Sequence, residues 1–254
     1  MKAIVTKIVG FSVEWIWFGL STNNHNVDMK RYLRVTEGNI SNFAGNSVKV
    51  KTLISDLSCG TEQMFSKIRK NVRYEIRKSD NLAPEINYYE SCDLTSNFLE
   101  ECGDFYNQFC DNLGNKNLKK AFRINQLELW RKNNLLVISE CIMSDGRIVH
   151  IYAIDSKHCC LLFSFSNVHN ENSDKNKIGI ANKRLHWEDM LFFKNKGVES
   201  MDWGNVSSFT KPNGIDDFKK SFGGDNKIVY NGIEGVNFKG KLIALLIKIM
   251  QLDN

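Results

Sequence analysis

Three β-rich runs stand side by side in the middle of the chain and constrain its fold more than any other feature. They cover residues 135–143, 147–154 and 158–166. The first two meet at Ser144-Asp145-Gly146 and the next two at Asp155-Ser156-Lys157, which are short turns typical of hairpins. Because parallel neighbours need a crossover of a dozen residues or more, these short turns predict an antiparallel meander.

Helices and strands alternate after the meander. The pattern predicts a helix over residues 180–194, a strand over 200–203, a second helix over 215–220 and a strand over 227–230. Meander and alternation together predict an α+β or α/β protein, with a mixed central sheet flanked by helices.

The segment before the first of these helices has the composition of a phosphate-binding turn. It reads Asn176-Lys177-Ile178-Gly179-Ile180-Ala181. A helix N-terminus offers unpaired backbone N–H groups and a partial positive charge. Glycine and alanine would let that backbone approach a pyrophosphate, and Lys175 and Lys177 add charge. We therefore predict a loop here that binds the donor coenzyme.

A row of arginines follows a helical stripe nearer the N-terminus. Residues 58–78 predict one helix whose apolar side carries Ile68, Val72 and Ile76. Arg69, Arg73 and Arg77 run beside that side, and guanidinium groups suit bidentate contact with phosphate. A solvated basic face explains the same pattern, so the row is a candidate substrate-binding surface with an open alternative.

The motifs resemble those of known acyltransferases. Residues 176–181 are similar to the pyrophosphate loop of the GNAT acyltransferase superfamily, (Gln or Arg)-x-x-Gly-x-(Gly or Ala), with Asn176 in the first place. Two later segments resemble the C-terminal GNAT domain of the Fem-type peptidoglycan-bridge aminoacyltransferases: Met201-Asp202-Trp203-Gly204, where Trp203 replaces a phenylalanine, and Phe218-Lys219-Lys220-Ser221-Phe222-Gly223-Gly224. The resemblance implies a GNAT fold over residues 47–235.

The resemblance also implies roles for these residues. Lys219 would bind and stabilise the reacting acyl end, with Phe218, Phe222 and Trp203 beside the substrate. A glycine cap on a helix explains Gly223 and Gly224 equally well.

Two further residues are candidates for catalysis. His186 lies in a helical row with Asn182 and Asp189 and would deprotonate the attacking amine, unless it is an ordinary surface histidine. Asp202 would line the same cleft, or would serve as a turn former at the end of its strand.

Composition makes several other classes of protein less favourable. A net charge of +5 is too small for a dedicated nucleic-acid binder, and no apolar run approaches the roughly 20 residues of a membrane-spanning helix. Seven cysteines without regular spacing, and the lack of a signal peptide, predict a reducing, cytoplasmic location. We predict no metal site, because adjacent residues of a strand, such as His158-Cys159-Cys160, point to opposite faces.

Three functions remain open. The first is an N-acyltransferase for cell-envelope polysaccharide biosynthesis. It transfers an acyl group from acyl-CoA, with acetyl-CoA as first candidate, to an amino group of a cell-surface glycan or nucleotide-sugar precursor. The amine attacks the acyl carbonyl directly. The second is a Fem-type enzyme that uses aminoacyl-tRNA and acts on a peptidoglycan precursor. Fem enzymes carry two GNAT-like domains and are longer, which favours the first. The third is a non-enzymatic module that binds nucleic acid through the three arginines.

The two ends of the chain complete the predicted organisation. Residues 1–46 form an N-terminal segment, a remnant of a first GNAT-like half, and residues 236–254 form an apolar C-terminal helix. That helix packs on the domain, pairs with another subunit or lies weakly on the inner face of a membrane.

Overall fold

The computed structural model describes residues 3–8, 10–19, 24–36, 47–144, 146–169 and 174–252. Its elements, in chain order, are β1 (Ala3–Ile8), β2 (Phe11–Trp17), β3 (Met29–Val35), β4 (Ser47–Asp56), α1 (Thr61–Lys67), α2 (Lys70–Lys78), β5 (Glu85–Glu90), α3 (Ser96–Asn112), α4 (Ile124–Lys132), β6 (Leu136–Met143), β7 (Gly146–Ile154), β8 (His158–Ser166), α5 (Lys175–Asn195), β9 (Ser200–Asn205), α6 (Gly214–Lys220), β10 (Asp225–Gly235) and α7 (Phe238–Leu252).

The chain divides into two compact units. The terminal unit comprises Met1–Leu53, Asn205–Asp217 and Asp225–Asn254, and the central unit comprises Ile54–Gly204 and Phe218–Gly224. These boundaries differ from the predicted ones. The strands of residues 3–35 are not a separate segment, because β10 pairs with β3 and α7 packs on β10.

The central unit confirms the predicted meander. Its strands lie in the order β9-β8-β7-β6-β5, and every pair is antiparallel except the parallel pair of β8 and β9. One face of this sheet packs against α5, where Ile178 and Leu185 meet Cys141 and Ile148. The other face packs against α3, because Tyr106 contacts rings on β8. The predicted fold class, a mixed sheet with an antiparallel meander between helices, is therefore confirmed.

The prediction of one helix over residues 58–78 is wrong. The segment forms α1 and α2, which are separated by the extended residues Ile68 and Arg69. The break is held because the Arg69 N–H donates to the Ser221 carbonyl at 2.8 Å, a bond that leaves the helical pattern. The apolar stripe of Ile68, Val72 and Ile76 is buried as predicted.

The strands of the terminal unit lie in the order β1-β2-β3-β10-β4. Ile16, Tyr32, Val35 and Tyr230 form a buried cluster there. Strand β3 pairs in parallel with β2.

Helix α7 is fixed to the terminal unit at its first turn. Asn237 caps the helix, because its Oδ1 accepts from the Gly240 N–H at 2.9 Å, and its Nδ2 donates to Asp28 Oδ1 at 2.8 Å. A Cβ on Gly240 would lie 1.7 Å from the Asp28 carbonyl oxygen. Glycine is therefore required for this approach. Further along, α7 covers an apolar cavity of about 320 Å³ beside Trp15.

Candidate active site

The candidate site centres on His186, which is 1% exposed on α5. Its ring is stacked on that of His150 from β7, with centroids 4.0 Å apart. Three aromatic rings surround it at centroid distances of 5.2 to 5.4 Å: Trp203, Phe218 and Phe222. The alternative that His186 is an ordinary surface histidine is therefore wrong. The three aromatic residues implied by the resemblance lie around it.

A hydrogen-bonded network fixes the stacked partner. His150 Nδ1 lies 2.7 Å from Asp189 Oδ2, and its Nε2 lies 2.8 Å from Asn182 Oδ1. The Tyr152 hydroxyl donates to the same Asp189 oxygen at 2.6 Å. Asn182, His186 and Asp189 share one face of α5, because they are spaced at i, i+4 and i+7. We call these residues, with Tyr152, the histidine cluster: His150, Tyr152, Asn182, His186 and Asp189.

Burial determines the protonation of two groups in this cluster, His186 and Tyr152. Loss of water lowers the pKa of His186 well below its usual value, and His150 and Lys219 lower it further. Burial and the Asp189 carboxylate raise the pKa of the Tyr152 phenol, so it remains a donor. The His186 Nδ1 atom has no hydrogen-bond partner within the described part of the chain. His186 is therefore a neutral, buried imidazole with one ring nitrogen that lacks a hydrogen-bond partner among the described residues.

The ammonium group of Lys219, a residue of α6, lies against the end of β9. A Cβ on Gly204 would lie 3.7 Å from Lys219 Nζ and 2.8 Å from the Leu161 carbonyl oxygen. Gly204 has a φ of +77°, which favours glycine. The positive φ and the close approach to Leu161 thus both require glycine at this position. The Lys219 ammonium lies against the same end of β9 and influences the pKa of His186.

The pairing of two strands of the sheet ends next to this point. The pairing of β8 with β9 ends at Cys160 and Asp202, although β8 continues to Ser166. Leu162 is an extra residue against β7, because Tyr152 pairs with Leu161 and Ile151 with Phe163. Such bulges bend a strand and often lie beside active sites. Ser164, which pairs with His150 on the same sheet, is exposed. His150 of the histidine cluster therefore pairs with a part of β8 that lies beyond the pairing of β8 with β9.

Three solved structures resemble the fold. FemX matches with a TM-score of 0.60 and 8% identity, over 96% of this chain and 85% of FemX. The C-terminal domain of a proposed lysylphosphatidylglycerol synthetase from Agrobacterium fabrum matches with a TM-score of 0.55 and 8% identity, over 98% and 85% of the two chains. A protein of unknown function from Bacteroides thetaiotaomicron gives 0.51 and 9%, over 80% and 69%.

The chain has a GNAT fold of the Fem type. No family model and no curated protein matches it by sequence. Identities below 10% establish the likeness of the folds alone, so residue roles rest on the geometry of this chain.

The loop predicted at residues 176–181 is wrong, because Asn176, Lys177, Ile178, Gly179, Ile180 and Ala181 form the first two turns of α5. The Asp174 side chain caps this helix and accepts from the N–H groups of Asn176 and Lys177 at 3.0 and 3.1 Å. These N–H groups also lower the pKa of the Asp174 carboxyl. A carboxylate thus occupies the place predicted for a pyrophosphate. Coenzyme binding by this segment stays a prediction.

Asp202 does not join the histidine cluster. It is buried, and its Oδ1 accepts from the Gly204 N–H at 2.8 Å. Because neighbouring residues of a strand point to opposite faces, Asp202 faces away from Trp203 and so from His186. Its catalytic role stays a prediction, while the bond to Gly204 supports a role in shaping the end of β9.

Arg73 and Arg77 of the arginine row lie on α2, and Arg69 directly precedes this helix. Arg69 and Arg77 are exposed and Arg73 is half-buried. The Arg77 guanidinium lies 5.2 Å from the Phe65 ring centroid, and Phe65 in turn contacts Trp187 of α5. A role of the row in substrate binding stays a prediction.

His150, His186 and Asp189 have ligand-type atoms within 4.8 Å of one another, as in metal sites. Both His150 nitrogens already lie against Asp189 and Asn182, so a metal ion would have to displace these contacts. We therefore describe the group as a hydrogen-bonded cluster, and the prediction of no metal stays a prediction.

The sequence analysis missed His150 and Tyr152. Both lie in the apolar run of β7, at alternate positions that share one face. Polar residues inside a strand that is predicted to be buried on both faces were the available signal, because buried polar groups require partners.

Among the described residues, no helix is both long enough and apolar enough to cross a bilayer.

Proposed function

We propose that this chain transfers an aminoacyl or acyl group from an activated ester to an amine, by direct attack of the amine on the carbonyl. The observation that supports this most is a buried neutral imidazole, His186, which packs against the Phe218 ring and whose pKa is influenced by the charge of Lys219, the next residue. The Fem-type fold agrees with it.

The two groups would have complementary roles. An amine that attacks an ester carbonyl becomes strongly acidic and must lose a proton, which a neutral imidazole can accept. The C–N bond forms as the C–O bond of the ester, or the C–S bond of a thioester, breaks, and the imidazolium returns the proton to the leaving alcohol or thiol. The carbonyl oxygen gains negative charge at the same time, and an oriented ammonium stabilises that charge. His186 would be the base and Lys219 the electrostatic stabiliser. Asp189 and Asn182 would position the rings by holding His150, on which His186 is stacked.

The aromatic residues would exclude water from this point. Trp203, Phe218 and Phe222 contact one another as well as His186, with centroids 4.9 to 5.4 Å apart. The Trp203 indole N–H donates to Ser55 Oγ at 2.9 Å, so its ring is fixed. A dry, rigid wall favours transfer to an amine over hydrolysis of the ester.

We favour an aminoacyl-tRNA ester as the donor. The first N–H groups of α5 already bond to the Asp174 carboxylate, which makes a pyrophosphate there less favourable. The chain also spans 85% of FemX, so the argument that it is too short for a Fem-type enzyme loses its force. The arginines of α2 are suited to phosphates of the tRNA or of a glycan or peptidoglycan precursor as acceptor. Donation from acyl-CoA, with acetyl-CoA first, stays a prediction.

Parallel transfer assays with charged tRNA and with acetyl-CoA test the proposal, using mass spectrometry to detect modified amine acceptors. Ligands that co-purify with the chain identify candidates for both substrates. We expect His186→Gln to abolish transfer and to leave the fold intact. Full transfer activity in this variant would refute the proposed base, and transfer from acetyl-CoA alone would replace tRNA as donor.

A further inference from the structure

Helix α7 presents two apolar faces, and among the described residues only one of them packs against the rest of the fold. Ile243, Ala244 and Ile247 face the terminal unit, where Ala244 is buried and the two isoleucines line the cavity next to the sheet. The opposite face is exposed. Its apolar residues are Phe238 at 85%, Leu242 at 52%, Leu245 at 53% and Leu246 at 51% exposure.

These four residues form one continuous stripe. At about 100° per residue, Leu245, Phe238, Leu242 and Leu246 follow one another within an arc of about 100° around the helix. We call this arc the leucine stripe. Scattered apolar residues on a surface need no explanation, but a contiguous stripe of this kind marks a surface that binds something.

The charges beside the stripe indicate the partner. Lys241 lies at one edge of the arc and Lys239 at the other, about 40° and 20° beyond the outermost leucines. Both lysines are exposed. The Lys239 ammonium also contacts the Gly10 carbonyl oxygen at 3.0 Å and the Phe11 ring at 4.2 Å, which keeps it at this edge.

We propose that the leucine stripe binds the surface of an anionic lipid bilayer, with α7 lying in the plane of the interface. Lysines on both edges of an apolar stripe match this partner, because the leucines enter the acyl boundary while the ammonium groups reach phosphate headgroups. The 15 residues of α7 span about 22 Å, short of the roughly 30 Å hydrocarbon core, so the helix lies on the bilayer and does not cross it.

The anchoring of α7 makes this surface available without a folding cost. The cap formed by Asn237 and the close approach of Gly240 to Asp28 hold the helix before any lipid is present. A second copy of the chain is the competing partner for the stripe. Two copies of this face would bring their lysine edges together, which opposes association.

Flotation of the full chain with lipid vesicles tests the proposal. We expect binding to vesicles of phosphatidylcholine with phosphatidylglycerol, and little binding to phosphatidylcholine alone. Lys239→Gln with Lys241→Gln should weaken binding about thirtyfold at low salt, since each lysine contributes about 1 kcal/mol near an anionic surface. High salt should have a similar effect.

The apolar contribution is tested separately. Leu242→Gln and Leu245→Gln should each weaken binding roughly tenfold, because each leucine buries about half of its side chain. Ile215→Gln is the matched control: Ile215 is 67% exposed on α6, outside the stripe, and its loss should not change binding. Equal binding by Leu242→Gln and Ile215→Gln variants would overturn the proposal. So would a dimer in sedimentation velocity that dissociates in the leucine variants while the wild-type chain ignores vesicles.

Discussion

Replacement of Lys219 by alanine tests the proposed chemistry most directly. A full charge about 4 Å from another contributes about 4 kcal/mol at an effective dielectric constant of about 20. Lys219 is partly exposed, and the carbonyl oxygen carries only part of a charge in the transition state. We therefore expect a loss of about 2.7 kcal/mol, which is about a hundredfold in kcat/KM and lies at the low end for an oriented donor.

The same substitution has a second, independent effect. Lys219 helps to depress the pKa of His186, so its removal should raise that pKa towards its usual value, while burial and His150 still hold it down. A base is lost when the pH falls below its pKa, so a higher pKa brings this loss to a higher pH. The acidic limb of the kcat/KM profile should therefore move upward in the Lys219→Ala variant.

The assay is initial-rate transfer as a function of pH, with Lys220→Ala as control. Lys220 is the exposed neighbour of Lys219 on α6 and carries the same charge. Equal kcat/KM values for the two variants would refute the role of Lys219. A hundredfold loss with an unmoved acidic limb would retain Lys219 as stabiliser but exclude His186 as the base.

Three further predictions concern other parts of the chain. Since the pKa of His186 is lower in the folded than in the unfolded chain, the stability that its neutral form supports is complete above about pH 6.5. Below that pH the free energy of unfolding falls by up to about 1.4 kcal/mol per pH unit. Urea denaturation should show this slope for the wild type and not for His186→Gln. Gly204→Ala should cost about 3 kcal/mol in the same assay, because it combines a positive φ with a contact of 2.8 Å, whereas Gly179→Ala, in open helical surroundings, should stabilise by up to about 1 kcal/mol. Calorimetry with coenzyme A should give the same affinity for wild type and Gly179→Val, and a clear loss in the variant would restore the coenzyme loop inferred from the sequence.

The terminal unit supplies one more pH-dependent contact. Hydrogen bonds from Asn237 and Ser12 lower the pKa of Asp28 to about 2. The stabilisation that the Asp28 carboxylate contributes is therefore complete above pH 3.8, its usual pKa, and is lost as the pH falls towards about 2. Hydrogen exchange of the first turn of α7 should accelerate over this range in wild type, and an Asp28→Asn variant should show no such change.

The meander was predictable because its information is local. Turn residues and β-rich runs fixed three antiparallel strands, and the pairing of β6, β7 and β8 follows them. The start of α5 was not predictable from a glycine. Gly179 is helical, while Asp174, five residues earlier, supplies the cap that sets the first turn. An Asp followed by a helical pattern was the stronger boundary signal.

The site was predicted in part for a similar reason. The spacing of Asn182, His186 and Asp189 placed them on one helix face, and the structure brings that face to Trp203 and Phe222. The partner His150 could not be assigned, because only strand pairing and the packing of α5 bring β7 to this point. Residues distant in sequence meet through tertiary contacts that no local pattern encodes.

The histidine cluster is costly for a fold to keep, and that cost supports a function for it. The buried face of α5 is otherwise apolar, with Ile178, Leu185 and Phe193. Polar groups at such positions reduce stability unless all their atoms are paired, and apolar residues of similar volume are often neutral or better. Yet His186 Nδ1 remains without a partner in the described chain, which costs about 1 to 3 kcal/mol for a buried polar atom. Under the proposed function, a substrate that supplies the missing hydrogen bond would recover this energy on binding.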